Sequence, residues 1–469
     1  MLVFPHPNTI TAKILHLLTT SISPTQLLQI QAQIILHNLH PNPTITFHFI
    51  NACKSLGLLQ STLHLFSHFQ ISNPFIYNNL IRTFSHSPSP QFSLLIYTQM
   101  RHKSIPPNHY TFPFVLKSLS DLRELRQGQT VHTHIVKMGH LDDLYVRNAL
   151  LDLYSSCGEM EMCEFLFDEM TQRDAVSWTI LISGHRKNGK LDEALIAFER
   201  MQYAGISPNR VTMVNALAAC AGHGALEMGV WIHDYIKRNG WELDVILGTS
   251  LIDMYGKCGR IEIGLSVFDS MAEKNVYTWN SIIGGLALAK NGEEALSWFF
   301  RMEEEGIKPD KVSLTGVLCA CSHSGLVKMG QRIFYSMVDG KYGFPPEIKH
   351  YGCMVDLLAR AGLIDEAKEF MLMMPFEPNT VIWGALLSGC RAHGDMELSE
   401  MAARKLIELE PDNSAYYVVL SNFYAEMGRW SGVEEVRRLM KERGFKKDVG
   451  SSSVELEESK ENVYDLLGP

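Results

Sequence analysis

The chain has nineteen histidines and nine cysteines, the residues best suited to metal binding or nucleophilic chemistry. Their spacing assembles no known site. No histidine is followed two residues later by glutamate, and no C-x-x-C pair occurs, so the zinc ligands and proton shuttle of a cytidine deaminase are missing. The chain also lacks a Gly-rich phosphate loop of the Walker type, a G-x-S-x-G turn and an H-E-x-x-H motif. We therefore predict no enzyme: no catalytic residue, no metal site and no cofactor.

The remaining pairs of reactive residues have a simpler explanation. Cys319 and Cys321 are the closest two cysteines, and a long chain without a cysteine framework indicates reduced, buried thiols. His393 stands near Asp395, and Cys353 stands near His350. Helical packing or solvation accounts for both pairs better than catalysis does.

The charge of the chain limits its partners. The formal net charge of −9 argues against broad electrostatic binding to duplex nucleic acid, which needs a large basic surface. It permits recognition of a single strand base by base, where hydrogen bonding and stacking supply much of the affinity. No apolar run approaches the roughly 18 residues of a membrane span, so we expect no membrane partner.

The amino-terminal segment 1–42 contains no Asp or Glu and is rich in Ser, Thr and His. This composition is typical of an organellar targeting signal. It also fits a degenerate first repeat, because repeats begin almost at once. We expect a targeting segment that overlaps such a repeat.

An internal repeat determines the predicted fold. Segment 175–209, AVSWTILISGHRKNGKLDEALIAFERMQYAGISPN, aligns with segment 276–310, VYTWNSIIGGLALAKNGEEALSWFFRMEEEGIKPD, at an offset of 101 residues. Trp178 and Trp279 coincide, as do Phe198 and Phe299. A period of 101 residues is too long for one hairpin, so it is interpreted as a composite of 35, 35 and 31 residues.

Each unit has the spacing of two helices. Trp178, Leu181 and Ile182 recur at helical intervals, and a second stripe follows the Asn188-Gly189 break. A single hairpin cannot bury both stripes, but stacked copies can. We therefore predict an all-α fold, a right-handed α-solenoid superhelix of helix-turn-helix repeats with a long concave face.

These units resemble plant pentatricopeptide repeats (PPRs) of the subfamily that alternates P, L and S variants. The endings GISPN (205–209) and GIKPD (306–310) resemble P repeats, and LIDMYGKCG (251–259) resembles the 31-residue S form. The resemblance implies an array over 43–379. Segments 380–413 and 414–447 resemble two E motifs, which are similar to tetratricopeptide hairpins, and 448–469 forms an acidic tail. The chain is thus expected to be of the E type, without the DYW deaminase domain of the longest members.

The resemblance also implies which residues bind RNA. In this family the fifth residue of a repeat and its last residue face the same base. Amides, hydroxyls and carboxylates suit this role because their donor and acceptor patterns distinguish base edges. An alternative for the last residue alone is a helix cap. The expected pairs are Asn78/Asn108, Asn148/Asp174, Thr179/Asn209, Thr249/Asn275 and Asn280/Asp310.

The family code assigns these pairs to a pyrimidine, U, A, A and U, and parallel binding then gives the target 5′-Y-n-U-A-n-A-U-3′. The L repeats carry pairs that specify a base weakly or not at all: Pro113/Asp143, Val214/Asp244 and Thr315/Glu347. Repeats 43–73 and 348–379 also depart from the code, with Phe47/Asn73 and Gly352/Asn379. Residues at the second position are expected either to sandwich bases or to pack in the core: Phe75, Tyr145, Val176, Ile246 and Tyr277.

Three functions follow from the resemblance. The first is recognition of a C-to-U editing site in a single-stranded organellar RNA, with a DYW-type deaminase and other editing-complex proteins acting in trans. The second is organellar RNA splicing, processing or stabilisation. The third is a tetratricopeptide-like scaffold for protein interactions, which the paired polar residues disfavour. The family's distribution of targets favours a mitochondrion over a chloroplast.

Overall fold

The structure is a computed structural model that describes residues 7–20, 23–39, 41–58 and 73–445. Residues 1–6 of the expected targeting segment, most of the second half of repeat 43–73, and the acidic tail 448–469 lie outside the described residues. The chain divides into two compact units, Met1–Ala219 and Cys220–Pro469. Within the described ranges the secondary structure is helical throughout.

The first unit consists of helical hairpins. Its helices are α1 Pro7–Thr19, α2 Pro24–Leu36, α3 Pro43–Ser55, α4 Pro74–Ser85, α5 Gln91–His102, α6 Phe112–Leu122, α7 Leu125–Lys137, α8 Leu144–Ser156, α9 Met160–Asp168, α10 Ala175–Lys187, α11 Leu191–Tyr203 and most of α12 Arg210–His223.

The second unit continues the same pattern. Its helices are α13 Leu226–Arg238, α14 Val245–Lys257, α15 Ile261–Ser270, α16 Val276–Leu288, α17 Gly292–Glu304, α18 Lys311–His323, α19 Val327–Val338, α20 Ile348–Arg360, α21 Ile364–Leu372, α22 Thr380–His393, α23 Met396–Leu409, α24 Ser414–Glu426 and α25 Trp430–Glu442.

Polar residues at repeat ends start the helices. Asp174, Asn275 and Asp310 are the N-caps of α10, α16 and α18, and each side chain accepts hydrogen bonds from the first-turn backbone amides. Such caps satisfy amides that have no partner within the helix. Gly189, with a φ of 77°, makes the left-handed turn between α10 and α11. The local sequence thus fixes where each hairpin begins and where it turns.

The first helices of neighbouring repeats form one layer. In the first unit α4, α6, α8 and α10 pack in sequence, and in the second unit α14, α16, α18, α20 and α22 do so. Glycine permits a close approach of α14 and α16, since a Cβ on Gly256 would lie 3.0 Å from the Gly285 Cα. The second helix of each repeat packs behind this layer. The face of this layer that the second helices do not cover is therefore formed by the first helices.

Aromatic side chains fill the space between the layers. The Trp279 ring lies 4.9 Å from the Phe268 ring and 5.6 Å from the Trp298 ring, measured between centroids, and only 1% of Trp279 is exposed. Trp178 and Phe167 form the equivalent contact in the first unit, at 4.6 Å. These contacts bury the stripes that a single hairpin would leave in water.

Repeat 109–143 departs from its neighbours. Its first helix α6 begins at Phe112, whereas α10 and α16 begin at the first residue of their repeats. Pro113 lies in the first turn of α6, where a missing amide hydrogen costs little. The fifth residue of this repeat is thus held at the start of the helix and offers no polar side chain.

The C-terminal hairpins have a core of their own. Leu387, Ala402, Leu406, Tyr417 and Phe423 are buried together there. Among the described residues, no helix is long and apolar enough to cross a membrane.

Candidate nucleic-acid interface

The second residue of each of the five repeats with a code-like pair lies on the surface. Phe75, Tyr145, Val176, Ile246 and Tyr277 are between 49 and 75% exposed. Core packing, the alternative open for these residues from the sequence, is therefore wrong. The fifth residue follows three positions later, on the same face of the helix. Each repeat thus presents an exposed apolar side chain beside its expected base-recognition pair.

The fifth and last residues come together directly in the three repeats that have Asn at the fifth position. The Nδ2 atom of Asn78 donates to Asn108 Oδ1 at 3.1 Å, and Asn280 Nδ2 donates to Asp310 Oδ1 at 3.0 Å. Asn148 Nδ2 donates to Asp174 Oδ1 at 3.3 Å. The last residue uses its Oδ1 atom for these bonds and for hydrogen bonds from the backbone amides that follow it. None of these bonds uses its second terminal atom, Nδ2 in Asn or Oδ2 in Asp.

The two repeats with Thr at the fifth position have a bridged arrangement. The Thr179 hydroxyl lies 2.6 Å from the Thr212 hydroxyl, and Thr212 Oγ1 lies 3.1 Å from Asn209 Oδ1 and accepts from the Asn209 backbone amide at 3.3 Å. In the second unit, Thr278 lies 2.9 Å from Thr249 Oγ1 and 3.2 Å from Asn275 Oδ1. A shorter side chain at the fifth position is thus joined to the last residue through a third one.

The carboxylates in these pairs are acceptors at neutral pH. Burial raises the pKa of Asp174, but hydrogen bonds from the Ser177 amide and hydroxyl and from Asn148 outweigh it and leave the pKa below its usual value. The pKa of Asp310 is lowered in the same way, by Ser313 and Asn280 acting against burial. An ionised Asp accepts hydrogen bonds only, whereas Asn also offers an amine donor. The last position can therefore distinguish a ring N–H from a ring nitrogen lone pair.

Known protein families match the chain along the regions described above. A model of the PPR repeat family matches 173–222 and 274–323, and a PPR repeat model matches 145–174, 249–276 and 349–377. An E motif model matches 393–455. The pentatricopeptide repeat-containing protein At5g66520 of Arabidopsis thaliana is 40% identical over 92% of this chain and 75% of its own length. The chain belongs to the pentatricopeptide repeat family.

A second relative gives the same result. The pentatricopeptide repeat-containing protein At5g56310 of Arabidopsis thaliana is 37% identical over 87% of this chain and 84% of its own length. The crystal structure of the pentatricopeptide repeat protein PPR10 in complex with an 18-nt psaJ RNA element superposes with a TM-score of 0.67. It covers 86% of this chain and 61% of PPR10, at 17% identity. The predicted all-α solenoid fold is confirmed, and the matches identify a repeat protein.

The L-type PPRs lack the polar contact between fifth and last residues. Asp143 and Asp244 cap the following helices, yet their fifth-position partners are Pro113 and Val214. In repeat 311–347 the Thr315 hydroxyl donates to the Lys311 carbonyl at 2.8 Å, and Glu347 forms an ion pair with Lys311. These side chains are engaged locally, in keeping with the weak recognition expected from the sequence.

A third polar residue contacts the PPR pairs and was not predicted from the sequence. It is the third residue of the following repeat, and it is a buried Ser or Thr: Thr111, Ser177, Thr212, Thr278 and Ser313. The alternation of residue types at this position was visible in the sequence. The contact was not, because it joins residues about thirty positions apart.

The nine cysteines all lie within the described residues, and none of them forms a disulfide. Burial raises the pKa of Cys163, Cys220 and Cys353 to about 12, so these thiols are protonated at neutral pH. In the part of the chain that the structure describes, no group of three or more His, Cys, Asp and Glu side chains is placed to hold a metal ion.

Proposed function

We propose that this chain binds single-stranded organellar RNA sequence-specifically and recognises a C-to-U editing site, with a deaminase supplied in trans. The recognition pairs are the five named above, and the exposed second-position residues sandwich the bases. The proposed target is 5′-Y-n-U-A-n-A-U-3′ across repeats 74–310.

One observation carries the proposal most directly. In every repeat with a code-like pair, the polar fifth residue is joined to the last residue either by a direct hydrogen bond or through one hydroxyl. A helix cap alone would not require a polar fifth residue, since Asp143 and Asp244 cap helices beside Pro113 and Val214. PPR10, which shares the fold, was crystallised with an RNA element. Both facts support base recognition over a protein-binding scaffold.

The last residue supplies the simplest part of the proposed specificity. An Asp carboxylate suits the N3–H of uracil or the N1–H of guanine, and an Asn amine suits the N3 of cytosine or the N1 of adenine. Asp174 and Asp310 therefore favour U when combined with Asn at the fifth position. Asn209 and Asn275 favour A when combined with Thr.

The C-terminal hairpins are proposed to recruit the deaminase. Met396, Met401 and Met427 line a groove together with Arg404 and Arg429. Flexible methionines adapt to a partner surface, and the flanking charges can orient it. The fifth positions of these hairpins, Gly384 and Val418, offer no polar side chain for a base.

The compartment is proposed only as organellar. Relatives of the chain include PPR proteins named mitochondrial and one named chloroplastic, and these names give no support to the mitochondrial preference.

A binding assay tests the RNA target. The purified full chain is titrated into fluorescent RNA containing U-A-n-A-U and into RNAs with one of these four bases changed. We expect each change to weaken binding roughly tenfold, because a mismatched base contact costs about 1–3 kcal/mol. Equal affinity for all the RNAs would contradict sequence-specific recognition.

Sequencing organellar RNA from a plant that lacks the protein tests the editing role. Loss of editing at one cytidine downstream of a matching sequence supports the proposal. Normal editing together with an unspliced intron or a shortened transcript would instead show the second function, splicing or stabilisation.

A further inference from the structure

The third residue of a repeat occupies a distinctive place beside the preceding recognition pair. Thr111, Ser177, Thr212, Thr278 and Ser313 are fully buried, with no measurable exposure. Each lies in the first turn of a first helix or, for Thr111, at the N-cap position just before it, between the fifth and last residues of the preceding repeat. We propose that this hydroxyl is a specificity-determining positioning residue, which fixes how the fifth residue presents its hydrogen-bonding atoms to a base. The proposal rests on the RNA recognition proposed above.

In the Asn-containing repeats the hydroxyl holds the carboxamide in one orientation. Ser313 Oγ donates to Asn280 Oδ1 at 2.6 Å, while it accepts from the Asp310 backbone amide at 3.0 Å. The amine side of Asn280 then points to Asp310 Oδ1. Ser313 Oγ also lies 3.0 Å from Asp310 Oδ1. A hydroxyl has a single proton, and its shorter contact, at 2.6 Å, is the one with Asn280 Oδ1. One lone pair of the Asn280 carbonyl oxygen is thus engaged, and the second amide hydrogen of Asn280 is left for a base.

The other two Asn-containing repeats have the same geometry. Thr111 Oγ1 donates to Asn78 Oδ1 at 2.6 Å, and Ser177 Oγ donates to Asn148 Oδ1 at 2.7 Å. Without the hydroxyl, an Asn carboxamide could rotate by 180° and exchange its donor for its acceptor. The orientation of the amide, and with it the base preference, would then be poorly defined.

In the Thr-containing repeats the hydroxyl is the link itself. Thr212 lies within hydrogen-bonding distance of both Thr179 Oγ1 and Asn209 Oδ1. Thr179 also donates to the Ala175 carbonyl at 2.6 Å. Since Thr179 has one proton, this bond makes Thr212 the donor between the two hydroxyls. Thr179 is then left with an acceptor for a base.

The distribution of the hydroxyl along the chain follows base recognition. It comes after each of the five repeats with a code-like pair. The five repeats without one, 43–73, 109–143, 210–244, 311–347 and 348–379, are followed by Ile76, Val146, Leu247, His350 and Ile382, all buried.

Helix capping does not explain this distribution. Asp143 accepts from the Tyr145 and Val146 amides, and Asp244 accepts from the Leu247 amide, with no hydroxyl at the third position. The turn between repeats therefore forms with or without the hydroxyl. What the hydroxyl adds is the contact to the fifth residue.

Ser313→Ala in the full chain tests the proposal, with Ser313→Thr as the matched control that keeps the hydroxyl. Binding is measured to RNAs with U or C facing repeat 276–310, and with A or G facing repeat 245–275. We expect Ser313→Ala to lower the U-over-C preference by roughly three- to tenfold, the effect of one hydrogen bond. Its preference for A over G at the other nucleotide should stay within about twofold, and Ser313→Thr should behave as the wild type.

The outcomes separate the two proposals. If the wild type has no preference at either nucleotide, the proposed function is wrong. If the wild type discriminates and Ser313→Ala keeps its U-over-C preference, the positioning role is wrong. An equal loss of affinity for all four RNAs, together with a lower thermal midpoint, would show a purely structural role and would also overturn it.

Discussion

Repeat 276–310 and the C-terminal hairpin 380–413 share a backbone plan and differ in surface chemistry. Both begin with a capped first helix, and both carry a tryptophan at the fourth position, Trp279 and Trp383. At the fifth position the repeat has Asn280, whereas the hairpin has Gly384. The hairpin fold therefore does not require the polar residues, and their presence in the array needs a separate explanation, which base recognition supplies.

The third position also carries a polar residue in the repeat and an apolar residue in the C-terminal hairpin. Thr278 in the repeat contacts the preceding recognition pair, while Ile382 in the hairpin packs with Val355 and Leu386 in an apolar cluster. The core around the tryptophan also differs. Trp279 is fully enclosed, but Trp383 is only half-buried.

The largest expected effect tests the difference in the cores. Trp279→Ala removes a side chain that contacts Phe268 and Trp298, so we expect a loss of about 3–5 kcal/mol of unfolding free energy. Trp383→Ala should cost clearly less, because part of its ring is already in water. Urea unfolding followed by circular dichroism measures both. Equal losses would mean that the two cores are equivalent.

The second prediction concerns base preference. Asn209→Asp replaces an amine donor with an acceptor-only carboxylate, which suits the N1–H of guanine and repels the N1 lone pair of adenine. We expect binding to the U-A-n-A-U RNA to weaken roughly tenfold or more, and G to be preferred where the first A stood. Both proteins are measured on both RNAs to complete a double-mutant cycle.

A matched substitution in the C-terminal hairpin controls for the change of charge. Asn413→Asp also alters the last residue and keeps its cap on the Ala415 amide, but its fifth-position partner is Gly384. The base preference should be unchanged. A switch caused by Asn413→Asp, or none caused by Asn209→Asp, would show that the proposed pairs do not recognise bases.

How far the sequence could predict these features depends on the range of each contact. Capping residues such as Asp174 and Asp310 act within one turn, so helix starts were predictable from local patterns. The first helix of repeat 109–143 begins three residues late, with Pro113 in its first turn, and the repeat register alone does not predict this. The exposure of Tyr145 and the contact of Ser313 with Asn280 both depend on packing between repeats. From the sequence, Tyr145 could equally have been buried in the core, and the contact between Ser313 and Asn280 was not indicated at all.

The third prediction compares the response of the two regions to acid. Burial lowers the pKa of His233 in the array to about 4, with Lys237 adding to the effect, and its Nδ1 lies 2.9 Å from the Tyr255 hydroxyl. The C-terminal hairpins instead have Glu400, whose pKa is lowered mainly by the hydrogen bond from Tyr424. As the pH falls, a histidine with a lowered pKa is protonated in the unfolded state before it is protonated in the folded state. Its contribution to the free energy of unfolding is thus complete above about pH 6.5 and is lost as the pH falls toward 4.

The lowered carboxyl pKa of Glu400 stabilises the fold over a different pH range. The contribution of Glu400 to the free energy of unfolding is present above the ordinary pKa of 4.5 and is lost only below that pH. Lowering the pH from 7 to 5 should therefore reduce the thermal midpoint of the wild type more than that of His233→Gln. Glu400→Gln should have the same dependence of the midpoint on pH as the wild type. The opposite pattern would assign the acid sensitivity to the C-terminal hairpins.

The smallest expected effect on RNA binding comes from the groove of the C-terminal hairpins. Met401 is 39% exposed there, so Met401→Arg should leave the fold intact and change RNA affinity by less than about twofold. Editing in plants that carry only this variant should nevertheless fall, because a cation in the groove would interfere with docking of the deaminase. Tyr277→Ala is the reciprocal variant: Tyr277 lies beside Asn280 on the exposed face, and its loss should weaken RNA binding directly. If Met401→Arg weakened RNA binding as much as Tyr277→Ala does, the hairpins would belong to the RNA-binding surface. If it left both binding and editing intact, the groove would not be the docking site.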